Sequence, residues 1–118
     1  MDTIPKAKTD AAWPECYICP VENTLEILDG KWKILILHYL LEEGTLRFSE
    51  LKKRLPSVTQ KMLTAQLRSL EKRNVVARKV YPVVPPKVEY SLTATGLTLR
   101  PIMQAMREWS IAYDKVIR

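Results

Sequence analysis

Leu63, Leu67 and Leu70 recur at intervals of four and three residues and mark one narrow apolar stripe on a helix that starts at Thr59 and runs to about Arg73. At roughly 100° per residue, Lys61, Ala65, Arg68 and Lys72 point away from that stripe, and Gln60 and Thr64 flank it. Such a helix buries its leucines and presents a basic, polar face. Before it, Phe48, Leu51 and Leu55 share one face of a shorter helix, for which Ser49 is the expected N-cap. Pro56-Ser57-Val58 separates the two. Two helices joined by a three-residue turn form a helix-turn-helix.

The flanking segments extend the pattern. Pro20 is a good first helical residue, with Glu22 in the first turn, and this helix is expected to bury Val21, Leu25 and Leu28 before Gly30 ends it. Lys31 to Glu42 carries Trp32, Ile34, Leu35, Ile36, Leu37, Tyr39, Leu40 and Leu41. Apolar on almost every side, it reads as a fully buried central helix, with His38 as a core histidine. Leu46 to Phe48 offers a short strand. Val75–Tyr81 and Val88–Leu92 alternate β-branched and aromatic residues, and the Pro82–Lys87 loop joins them in a hairpin expected to have a basic tip. Thr93 is placed to cap a last long helix, which Pro101 either kinks or truly starts. Leu99, Ile102, Met106, Trp109 and Tyr113 follow 3, 4, 3, 4 spacing, a heptad-like seam suited to a second copy. The fold class is mostly α with a small β-hairpin (α+β), a winged helix-turn-helix that dimerises through its terminal helices. Residues 1–15 read as a flexible N-terminal arm and 16–118 as one domain.

Charge singles out the same central segment. The net charge is +6, yet Arg47 to Tyr90 holds eleven Lys/Arg against three Asp/Glu, while the rest of the chain is net −2. A localised basic block points to a polyanion. Gln60 suits an adenine edge, Lys61 and Arg68 suit guanine or phosphate, and Thr59 and Thr64 suit phosphate or base. Ser49, Lys79 and Lys87 complete the expected DNA-binding set, the two lysines as wing contacts to the backbone or minor groove. The competing class is a protein-interaction module on the same scaffold, which the lysine-rich face argues against. No nucleophile–base pair, phosphate-binding glycine loop or metal cluster marks an enzyme, and no cofactor is expected. No stretch reaches the roughly 20 apolar residues of a membrane span, and no secretory signal precedes the domain, so the expected location is the cytoplasm.

Several long runs carry a resemblance. Cys-Pro-Val-Glu from Cys19, Gly-Lys-Trp-Lys-Ile-Leu-Ile-Leu from Gly30, Leu-Arg-Phe-Ser-Glu-Leu from Leu46, the whole Thr59 helix, and Tyr-Pro-Val-Val-Pro-Pro-Lys-Val-Glu-Tyr from Tyr81 resemble HxlR-type regulators over about residues 16–113. The resemblance implies a bacterial, dimeric transcriptional regulator, with repression the expected mode. It implies recognition through the Thr59 helix and the wing around Lys87, on a pseudo-palindromic operator. In some relatives the cysteine matching Cys19 senses oxidants or electrophiles. This chain adds Cys16, giving C-x-x-C, which is two ligands short of a metal site. Either the pair is redox-active, or Cys19 is a partly buried helix-start residue and Cys16 is incidental. The sequence names no effector.

Overall fold

The computed structural model describes residues 19–117, so the arm at 1–15 and Cys16 lie outside the described residues. Six helices and three strands follow in the order α1 (Pro20–Leu28), α2 (Lys31–Glu43), β1 (Leu46–Arg47), α3 (Phe48–Arg54), α4 (Gln60–Lys72), β2 (Val76–Tyr81), β3 (Lys87–Leu92), α5 (Ala94–Leu97) and α6 (Arg100–Ile117). The architecture is a winged helix, mostly helical with a small antiparallel sheet. The hairpin gains a third strand because β1 pairs with β3, giving the order β1-β3-β2. Among the described residues, no helix is long and apolar enough to cross a membrane.

The core joins Ile36, Leu37 and Leu40 of α2 to Leu51 and Leu55, to the α4 leucines and to Val76 and Tyr90 of the sheet. Leu63, Leu67 and Leu70 are all buried, as their spacing requires. Thr59 caps α4: its Oγ1 accepts the Met62 N–H at 3.0 Å. The other end closes through Asn74, at φ +62°. The Asn74 N–H donates to the Glu71 carbonyl and the Val75 N–H to the Leu70 carbonyl, the paired bonds of a Schellman motif. Asparagine tolerates this left-handed conformation better than most residues.

Four expectations change. Ser49 is not the N-cap of α3. Glu50 Oε1 accepts the Arg47 N–H at 2.7 Å, so β1 runs straight into the helix and Ser49 lies exposed in its first turn. The α2 helix is not buried all round, because among the described residues α1, α4 and β3 leave one side of it open. Ile34, Leu35, His38 and Leu41 instead line an open groove against α6. His38 is therefore exposed, touching Tyr39 edge-on at 5.2 Å. On α1 only Leu28 is buried, while Val21 and Leu25 are exposed because no other described residues cover them.

The fourth change concerns the C-terminal seam. Thr93 caps the short α5, where its Oγ1 accepts the Gly96 N–H at 2.9 Å, and Pro101 marks the true start of α6. Leu99 precedes α6 and packs into the chain's own core, so it leaves the seam. Ile102, Met106, Trp109 and Tyr113 stay on the surface, with Trp109 66% exposed and stacked on Tyr113 at 5.0 Å.

Candidate nucleic-acid interface

The outward side of α4 is a continuous surface. Gln60, Lys61, Thr64, Ala65 and Arg68 line one shallow concavity. Thr64 Oγ1 donates to the Gln60 carbonyl at 2.9 Å, so its methyl and oxygen are fixed against the helix. Ala65 leaves room between the longer side chains. Neither Lys61 nor Arg68 forms an ion pair among the described residues. Neighbouring cations are engaged elsewhere. Arg54 makes a two-pronged bridge to Glu43, with Nε 2.7 Å from Oε2, which fastens the end of α3 to the end of α2. Arg73 reaches Glu26 at 3.7 Å and Arg78 reaches Glu71 at 3.9 Å. The chain thus ties cations around α4 and leaves those on its exposed face available.

A second basic surface lies on the outer face of the sheet. Pairing places Lys79 and Arg47 on either side of Glu89, and Lys87 opposite Tyr81. The Lys79 and Lys87 ammonium groups sit 5.0 Å and 4.7 Å from the Tyr81 ring centroid, within cation–π range. The Tyr81 hydroxyl donates to Glu89 Oε1 at 2.8 Å, and Lys87 Nζ lies 3.4 Å from Glu89 Oε2. The Tyr81 hydrogen bond, with Lys87 helping, holds the Glu89 carboxyl below the ordinary carboxylate range. The hairpin tip itself is not basic. Residues 82–86 are uncharged and Val84 is 98% exposed, while both lysines stand on the strands.

The structure therefore brings Gln60, Lys61, Thr64 and Arg68 together on α4 and groups Lys79 with Lys87 on the sheet. Thr59 acts as the cap of α4, and Ser49 is exposed on α3. Arg47 was missed as a site residue. Its place beside Glu89 depends on β1 pairing with a strand some forty residues later, which no local pattern announces.

The cysteine and the seam lie elsewhere. Cys19 is the half-buried residue preceding α1, a free thiol. Among the described residues no three His, Cys, Asp or Glu side chains converge as metal ligands. The α2–α6 groove has an apolar floor that includes Ile34, Leu35, Met103 and Met106, and Arg100 Nη2 spans it to the Leu41 carbonyl at 3.2 Å.

The model of the HxlR-like helix-turn-helix family matches residues 27–117, from the end of α1 to the end of α6. The chain belongs to the HxlR-like helix-turn-helix family. It is similar to the HTH-type transcriptional regulator YdeP of Bacillus subtilis, at 53% identity over 95 residues, covering 80% of this chain and 73% of that protein. Among solved structures it resembles the redox regulator HypR in its reduced form, at 48% identity and a TM-score of 0.79, covering 84% of this chain and 97% of that one. It also resembles the reduced form of the transcriptional regulator YodB of Bacillus subtilis, at 38% identity and a TM-score of 0.70, with 79% and 91% covered. Fold, sequence and family agree on a helix-turn-helix transcriptional regulator.

Proposed function

We propose that this HxlR-family regulator is a cytoplasmic homodimeric repressor that reads a pseudo-palindromic operator with one α4 helix in each half-site. The observation that carries the reading is the division of α4 into a fully buried leucine stripe and an outer face whose Lys61 and Arg68 form no ion pair among the described residues. A major groove about 12 Å wide admits one such helix, with Gln60, Lys61, Thr64 and Arg68 toward the bases and backbone. Arg47, Lys79 and Lys87 on the sheet supply backbone contacts that fix register. The dimer is supported by Ile102, Met106, Trp109 and Tyr113, an apolar surface on an amphipathic helix that the described residues of its own chain leave uncovered. Twofold symmetry spaces two recognition helices about 34 Å apart, and a dimer bound over that length blocks access to a promoter beneath it.

The test is binding to DNA duplexes across a salt series. Affinity is expected to fall steeply with salt as phosphate contacts release counterions. Binding that ignores salt, or is absent on all duplexes, overturns the reading in favour of a protein-interaction module.

Likeness to HypR, named a redox regulator, supports an input through Cys19. A disulfide from Cys19 to Cys16 or to a partner's cysteine passes two electrons and two protons to a thiol oxidant. Equal DNA affinity with and without oxidant, in wild type and in Cys19→Ser, removes that input.

A further inference from the structure

We infer that Glu89 is an electrostatic brake on the wing: it retains the Lys87 ammonium within the sheet and so weakens sequence-independent contact with the DNA backbone. The inference rests on the reading that the outer face of the sheet meets DNA.

Among the described residues on that face, Glu89 is the one carboxylate. It stands on the central strand with Arg47 and Lys79 as its cross-strand partners and Lys87 3.4 Å away. Three cations thus surround a single anion. The Tyr81 hydroxyl requires only an acceptor, which an amide oxygen also supplies, in a weaker bond. Beyond that bond, the negative charge acts on the cations, Lys87 first. Lys87 is held twice, by Glu89 and by the Tyr81 ring, and its side chain is only partly exposed. A phosphate approaching Lys87 must either draw it away from Glu89 or settle within a few ångströms of a like charge. Among the described residues, Lys61 and Arg68 on α4 carry no such restraint. The chain therefore keeps a free grip where bases are read and a restrained grip where only backbone is available. For a regulator surrounded by competing non-operator DNA, a weaker sequence-independent grip leaves more protein free to find its site.

The experiment measures binding to a mixed-sequence DNA duplex across a salt series, for wild type, Glu89→Gln, Lys87→Ala, the double variant and Glu89→Asp. Glu89→Gln keeps the Tyr81 acceptor and removes the charge. It is expected to bind at least about threefold tighter at low salt and to steepen the log–log salt slope by about 0.9, one added phosphate contact. In the Lys87→Ala background the slope change is expected to vanish. Glu89→Asp retains the charge but withdraws it from Lys87, and is expected to fall between wild type and Glu89→Gln. This keeps the test open if the glutamine variant fails to fold. An unchanged or weaker grip in folded variants overturns the inference. So does a slope change of equal size with and without Lys87, which reflects net charge alone. If wild type binds no duplex, the DNA-facing reading of the sheet fails as well. If wild type binds, Lys87→Ala weakens it and Glu89 substitutions do nothing, the brake alone fails.

Discussion

Replacing Gly96 with alanine sets helix propensity against packing, with opposite signs. Propensity favours alanine by up to about 1 kcal/mol in a helix interior, less in so short a helix as α5. Packing opposes it. A Cβ at Gly96 meets the Val75 carbonyl oxygen well inside van der Waals contact and lies 3.2 Å from Leu92 Cδ2. That carbonyl cannot withdraw freely, because it accepts the Thr93 N–H at 3.1 Å and shares the Thr93 hydroxyl, 3.2 Å away, with the nearer Asn74 carbonyl at 2.7 Å. Overpacking costs about 1–3 kcal/mol, and weakening either bond costs about 1 kcal/mol more. The expected net loss is about 2 kcal/mol. At about 3–5 °C per kcal/mol for a chain of this size, the thermal midpoint should fall by about 6–10 °C. Circular dichroism at fixed protein concentration measures it, since oligomers melt in a concentration-dependent way. Gly44→Ala is the control: it has nothing within 4 Å of the new carbon, so its φ of +83° supplies the only cost. An unchanged or raised midpoint for Gly96→Ala would show that α5 shifts at little cost and would refute the packing argument.

Four further outcomes are expected. Thr59→Ala removes the acceptor for the Met62 N–H and should cost about 1 kcal/mol in chemical unfolding, with weaker DNA binding because the start of α4 frays. Arg68→Ala should lose about 1–3 kcal/mol on an operator if it reads a base, measured by anisotropy, with a smaller loss on mixed sequence. Trp109→Glu should shift the mass in light scattering toward the monomer while leaving the circular dichroism of the winged helix intact. For pH, Glu43 is held below the ordinary carboxylate range by its hydrogen bond to Arg54, and Glu89 by that to Tyr81. Both are depressed, so their stabilisation is present above about pH 4.3 and is lost as pH falls through the lower folded values. A Glu43→Gln, Glu89→Gln variant should therefore show a flatter fall in thermal midpoint on acidification than wild type.

What the sequence made legible was local. The Leu63, Leu67, Leu70 spacing, the Thr59 cap and the basic side of α4 are each set by successive residues no more than four apart, and each stands in the structure where the pattern puts it. Errors arose where a neighbour far along the chain decides the outcome. An apolar run reports that a surface needs covering, not what covers it, so Val21, Leu25 and the groove side of α2 were assigned to a core that does not reach them. Leu99 erred the other way: it continues the seam's spacing but sits before α6, where the chain's own core takes it. Arg47 and Glu89 became neighbours through a two-residue strand too short to signal its partner. Asn74 carries a readable signal, a residue tolerant of positive φ just past the last apolar position, and it closes the helix one residue beyond its Arg73 cap.

The outer face of α4 contributes almost nothing to holding the protein together. Gln60, Lys61, Ala65 and Arg68 are exposed, and the stability of the helix rests on its leucines and its two caps. Substitutions on that face are therefore close to neutral for folding, generally within about 0.5 kcal/mol. If that face reads the operator as proposed, a copy of this regulator can, after gene duplication, change which operator it reads without first finding a compensating mutation in its core. The same separation offers an engineer a fixed scaffold with a short replaceable reading head.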